Sequence, residues 1–134
     1  MDATAFKGLS ATQLSQIKPS SISGLTASEI ENIPSSSCVG WASNQIENLT
    51  PSACYGFSSY CMKNINPASY FGFSDQCIYS TSEAWSEVSV TQISYVKPES
   101  FAGFDCDNFG DLERSTVASL NLGQLSFLTS GWYM

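Results

Sequence analysis

The chain has no histidine, and only 13% of its 134 residues are charged. Loss of histidine removes the commonest general base and the usual nitrogen ligand of zinc, so enzymes that rely on either are excluded. Lysine and arginine number 5 against 12 acidic residues, for a net charge of −7. An acidic surface repels phosphate backbones and anionic headgroups, which disfavours nucleic acid as a partner. Long apolar runs are missing too. None approaches the ~20 residues of a membrane span, so no membrane insertion is expected. Glycines never cluster as they do in a phosphate-binding loop, because each sits inside its own repeat. The expectation is a protein that is not an enzyme, with no catalytic residue, no cofactor and no required metal.

What the chain does have is a repeat. Written in eights from Asp2, it aligns with itself over 2–128 in sixteen blocks. Blocks 1–10 fill 2–81, block 11 is the seven-residue stretch 82–88, and blocks 12–16 fill 89–128. Each block has apolar residues at places five and eight, as in S-A-T-Q-L-S-Q-I (block 2, 10–17) and K-P-S-S-I-S-G-L (block 3, 18–25). The blocks alternate in type. Gly8, Gly24, Gly40, Gly56 and Gly72 stand sixteen apart, and Gly103 rejoins the series after one residue is lost near 82–88. Self-similarity at a fixed period is the signature of a solenoid, whose units bury their faces only against neighbours.

Steps of three and five between apolar residues (Phe6, Leu9, Leu14, Ile17, Ile22, Leu25) fit single helical turns separated by resets of direction. Strands would need steps of two. Ser10 with Gln13, Thr26 with Glu29 and Ser89 with Gln92 read as capping boxes, in which side chains satisfy the first N–H groups of a helix. Pro19, Pro51, Pro67 and Pro98 fall where a helix begins, and there a missing N–H does no harm. The expected fold is all-α: about eight sixteen-residue coils of two very short α or 3-10 turns each. It fills 1–128, and 129–134 forms an aromatic cap or tail. A β-solenoid of sixteen-residue coils is the alternative. Because the repeat opens in register just after Met1, the chain also reads as a segment of a longer repeat region with no leader ahead of it.

The blocks resemble octapeptide and sixteen-residue repeats of the form S/T-x-x-Q-L-x-x-L and P-x-x-F-x-G-L, found in large secreted or surface proteins of microbes. The resemblance covers nearly the whole chain and implies an extracellular or cell-surface setting with a structural or adhesive role. Cys61, Cys77 and Thr81 depart from it, as does the broken block around Trp85.

Five cysteines is an odd number, so they cannot all pair within one chain. Cys38 and Cys54 recur at place five and are expected to act as small buried apolar residues. Helices normally pack too far apart for ladders of disulfides. Cys61–Cys77, at place four, is the expected bridge if any forms. Asp105, Asp107 and Asp111 superficially suggest a calcium loop, but no glutamate follows at the required distance, and an acidic solvated turn is the preferred reading. Asn48 opens an N-glycosylation sequon, meaningful in a secreted chain. Tyr55, Phe71 and Tyr79 are expected as surface aromatics able to stack on sugar or protein. Phe6, Leu9 and Leu14 at one end, with Trp132 and Tyr133 at the other, are the expected contact residues for end-to-end growth into rods or filaments, with further copies or neighbouring repeat domains as partners. The alternative function is adhesion to a glycan or a surface protein through the aromatic and Asn/Gln columns.

Overall fold

A computed structural model of the chain describes residues 3–81 and 83–128. The described residues form helical turns and connections, without strands, so the chain is all-helical rather than a β-solenoid. Each block contributes one turn. The even blocks are α-helical: Ala11–Ser15, Ala27–Asn32, Ser43–Glu47, Ser59–Asn64, Asp75–Ser80, Val90–Ile93, Cys106–Gly110 and Leu122–Leu125. The odd blocks are 3-10 turns at Ala3–Gly8, Ser35–Gly40, Pro51–Gly56, Pro67–Gly72, Ala84–Glu87 and Pro98–Gly103, whereas Pro19–Ile22 and Arg114–Ala118 are α-helical.

Local chemistry accounts for this alternation. In even blocks the place-five N–H bonds the place-one carbonyl, as from Leu14 to Ser10 and from Met62 to Ser58. Capping boxes at Ser10/Gln13, Thr26/Glu29 and Ser89/Gln92 hold the first turn open to that i→i+4 pattern, as expected. In the 3-10 blocks the place-four N–H reaches the place-one carbonyl (Ser69 to Asn66, Ser100 to Lys97), and the turn stays tight.

The turns do not pack as sixteen-residue coils. Every substantially packed pair of elements lies three blocks apart: Ala11–Ser15 on Ser35–Gly40, Ala27–Asn32 on Pro51–Gly56, Ser43–Glu47 on Pro67–Gly72, Asp75–Ser80 on Pro98–Gly103. Three is odd, so a 3-10 block meets α-blocks above and below and almost never its own kind. The sixteen-residue period is therefore the alternation of partner types, not the length of a coil. It also reaches the core. Trp41, Phe57 and Phe73, two blocks apart, stack edge to face at centroid distances of 5.7 and 5.6 Å, and the chain of rings continues through Trp85 to Phe104.

The glycines set the spacing. Among the described residues no glycine adopts a positive φ, so their role is not an unusual backbone conformation. A Cβ on Gly40, Gly56, Gly72 or Gly103 would overlap the carbonyl oxygen of Ala11, Ala27, Ser43 or Asp75, each at place two of the block three earlier. The 3-10 backbone lies directly on the first turn of an α-block.

Block 11 is the irregularity. Glu83, at φ 62°, is the single described non-glycine residue in the left-handed region, and it bridges the missing position. Trp85 then fills place five, and its Nε1 donates to Thr81 Oγ1 at 2.6 Å, so a threonine is accommodated in an apolar column. Trp41 Nε1, equally buried, has no hydrogen-bond acceptor among the described residues.

Adding a methyl group tests the close approach. Gly103→Ala should cost about 1–3 kcal/mol or more from overpacking. Gly8→Ala, where a Cβ meets nothing within 4 Å, should stay within about 0.5 kcal/mol of the wild type. Urea midpoints measure both, and equal effects would contradict the packing.

Candidate functional site

Place four is where the repeat does its polar work. Ser37, Gln45, Ser69, Gln92, Ser100, Asn108, Thr116 and Gln124, all at place four, are buried polar residues. Most of them reach back four blocks to a main-chain carbonyl. Gln45 Nε2 donates to the carbonyls of Leu14 (2.8 Å) and Ile17 (2.9 Å). Gln92 Nε2 lies within reach of Met62, Lys63 and Ile65, and Gln124 Nε2 donates to Ile93 and Val96. Asn108 Nδ2 donates to Ile78. In odd blocks hydroxyls substitute: Ser37 to Leu9, Ser69 to Trp41, Thr116 to Val88. In the α-blocks the amide oxygen meanwhile accepts the N–H of its own N-cap, as Gln45 does from Ala42 at 2.9 Å. One side chain thus starts its helix and ties it to an earlier one.

Place four of blocks 1–4 has no block four before it among the described residues. Ala5, Gln13 and Ser21 are exposed there, and Glu29 is half-buried. Nothing in a single block distinguishes these residues from their buried counterparts, so the reach from place four to an earlier block is not legible in the sequence.

The cysteines pair across the same three-block step. Cys38 bonds Cys61 and Cys54 bonds Cys77, each with Cα atoms 5.4 Å apart and a sequence separation of 23. This corrects two expectations, a Cys61–Cys77 bridge and unpaired Cys38 and Cys54. Cys61 and Cys77 are two blocks apart, whereas place five of one block meets place four of the block three later. The expected obstacle was helix spacing near 8–10 Å. It does not hold for these short turns, whose Cα atoms approach to 5.4 Å at both bridges. The shared separation of 23 in both pairs was the available signal. Cys106 is exposed and belongs to neither bridge.

The other candidates scatter. Tyr55, Tyr79 and Phe71 are all exposed, and Tyr55 and Tyr79 sit on turns that pack together. Phe71 stands elsewhere, with Lys97 Nζ 5.1 Å above its ring. Phe6 and Leu9 are half-buried, but Leu14 is wholly buried beneath block 5 and offers no end surface, a correction to its expected role. Trp132 and Tyr133 lie outside the described residues. Asp105, Asp107 and Asp111 line a surface cavity of about 400 Å³ with Tyr79, Glu83 and Asn108. Asp105 caps its own helix by accepting the Asn108 N–H, and among the described residues no three His, Cys, Asp or Glu side chains converge as metal ligands. The asparagine column is tied into its helices and, at Asn64, to an earlier block, whose Ser35 carbonyl accepts from Asn64 Nδ2 at 2.9 Å. Asn32, Asn48 and Asn64 donate to the carbonyls of Ser28, Asn44 and Tyr60, four residues back in their own turns. Asn48 is exposed at the C-cap of Ser43–Glu47, while Leu49 of its sequon is buried and Thr50 half-buried. Buried Tyr70 donates to the Met62 carbonyl, and burial pushes its hydroxyl pKa far above the ordinary range.

No helix of the described residues is long and apolar enough to cross a membrane. Comparison with protein-family models, curated proteins and solved structures finds no match.

Two outcomes are expected. Gln92→Leu should destabilise by about 1–3 kcal/mol more than Gln13→Leu, because both lose a capping bond but only Gln92 also loses bonds to an earlier block; equal losses in thermal melts would contradict the bridging role. Peptide mapping without reduction should recover Cys38–Cys61 and Cys54–Cys77, and reduction should cost about 3 kcal/mol per bridge. Recovery of Cys61–Cys77 instead would overturn the packing step.

Proposed function

We propose that the chain is a non-catalytic structural module of an extracellular or cell-surface protein, a helical solenoid that joins end to end with further copies of itself. Its turn spans about three and a half blocks, a value supported by packing at three blocks and hydrogen bonding at four. The two disulfides are compatible with an oxidising, extracellular setting.

The observation that carries this reading is the inequality of the two ends. Each joint between turns is made by place-four donors on one side and main-chain carbonyls on the other. Gln13 and Ser21 present the donor half at the N-terminal face. The carbonyls of Leu112 and Leu120 occupy the places that those of Ile17 and Trp41 hold inside the molecule. A contact between unlike ends does not close on itself, and it grows as a rod.

A second reading, adhesion to a glycan or protein, draws support from exposed Tyr55 and Tyr79 on adjoining turns. Sedimentation velocity over a concentration series separates the two. The end-to-end reading predicts concentration-dependent association that Gln13→Glu weakens several-fold while the melting temperature is unchanged, since a glutamate still caps the helix as Glu29 does. Association lost instead on Tyr79→Ser, or a monomer at every concentration that binds a glycan array through Tyr79, would favour adhesion.

A further inference from the structure

This inference rests on the end-to-end reading and concerns what regulates the joint. In the α-blocks with buried amides, place four is a donor to earlier blocks: Gln45, Gln92, Asn108 and Gln124 each turn an amide NH₂ toward carbonyls four blocks back. Block 4 reproduces half of this arrangement. Glu29 Oε1 accepts the Thr26 N–H at 2.9 Å, matching Gln45 on Ala42, and its main-chain N–H returns the bond to Thr26 Oγ1. Where Gln45 then offers a donor, Glu29 offers a second carboxylate oxygen.

We propose that Glu29 is a stop set into the N-terminal face. When a second copy seats its last turn there, Gln13 and Ser21 meet its carbonyls as donors, but Glu29 places a negative charge against carbonyl oxygens with no proton between them. Ionised carboxylates accept hydrogen bonds and cannot donate, and leaving such a group desolvated and unpaired is costly. The turns packed on the Glu29 helix are those of blocks 1 and 7. Among their described residues Lys7, exposed, carries the positive charge, Tyr55 is the titratable group of block 7, and Glu31 adds a further negative charge on the Glu29 helix itself. The joint therefore forms weakly, and a single oxygen-to-nitrogen exchange converts the N-terminal face into a copy of the internal joints.

The test is Glu29→Gln, with Glu31→Gln as a control that makes the same charge change at an exposed position of the same helix. Glutamine keeps the capping box, as Gln13 and Gln92 demonstrate, so melting temperatures should match the wild type. In sedimentation velocity on the full chain, Glu29→Gln should tighten association at least about tenfold, which is about 1.4 kcal/mol. Glu31→Gln should change it by less than about twofold. Equal tightening by both would reduce the effect to net charge and overturn the stop. Unchanged association in Glu29→Gln, with Gln13→Glu still weakening it, would overturn the stop and leave the end-to-end reading standing. Absence of association in every variant at every concentration would overturn both.

Discussion

The contact on which the rest of the molecule depends is backbone on backbone: a 3-10 turn laid through its glycine onto the first turn of an α-helix three blocks earlier. Such short helices are unstable alone, because nucleation fixes several residues for one hydrogen bond. They persist because each is held from both sides. The odd step makes every partner of a glycine-bearing turn an α-turn, which explains two alternating block types instead of one. It also brings place five of one block against place four of the block three later, where both disulfides form.

Close approach leaves little room for charge and much need for small donors. Main-chain carbonyls at the ends of turns already accept from their own block, as Leu14 does from Ile17, and several accept a second bond from a later block, as Leu14 does from Gln45. Place-four hydroxyls and amides meet them. A composition poor in ions and rich in serine follows from that demand, because an ionised group in the same column would be desolvated without an opposite charge. Cys61 and Cys77 occupy the column where a glutamine would otherwise reach back, so a covalent link in the middle of the chain replaces the hydrogen bond.

Much of this was legible in the sequence. Block boundaries, capping boxes and the apolar columns at places five and eight read directly, because each is a local pattern with a local cause: Leu14, Ile30 and Ile46 are buried as their column requires. The contact step was not legible. A sixteen-residue period is equally consistent with two-block coils and with alternation over a three-block step, and no local interaction separates them. The cysteine pairing failed for the same reason, since spacing within a column was read in place of spacing between columns. Leu14 was assigned to an end surface on chain position alone, whereas block 5 covers it. The hydrogen bonds of the asparagine column are not legible in the sequence either, because an i, i−4 amide bond leaves no trace in the period.

The most direct test of the three-block step is the set of nuclear Overhauser effects from the Hα protons of Gly40, Gly56, Gly72 and Gly103 in the intact, oxidised protein. The account predicts strong cross-peaks to Ala11, Ala27, Ser43 and Asp75 respectively, each at place two of the block three earlier. Cross-peaks from these glycines to residues two blocks earlier, with none to those four, would restore the sixteen-residue coil and contradict the architecture.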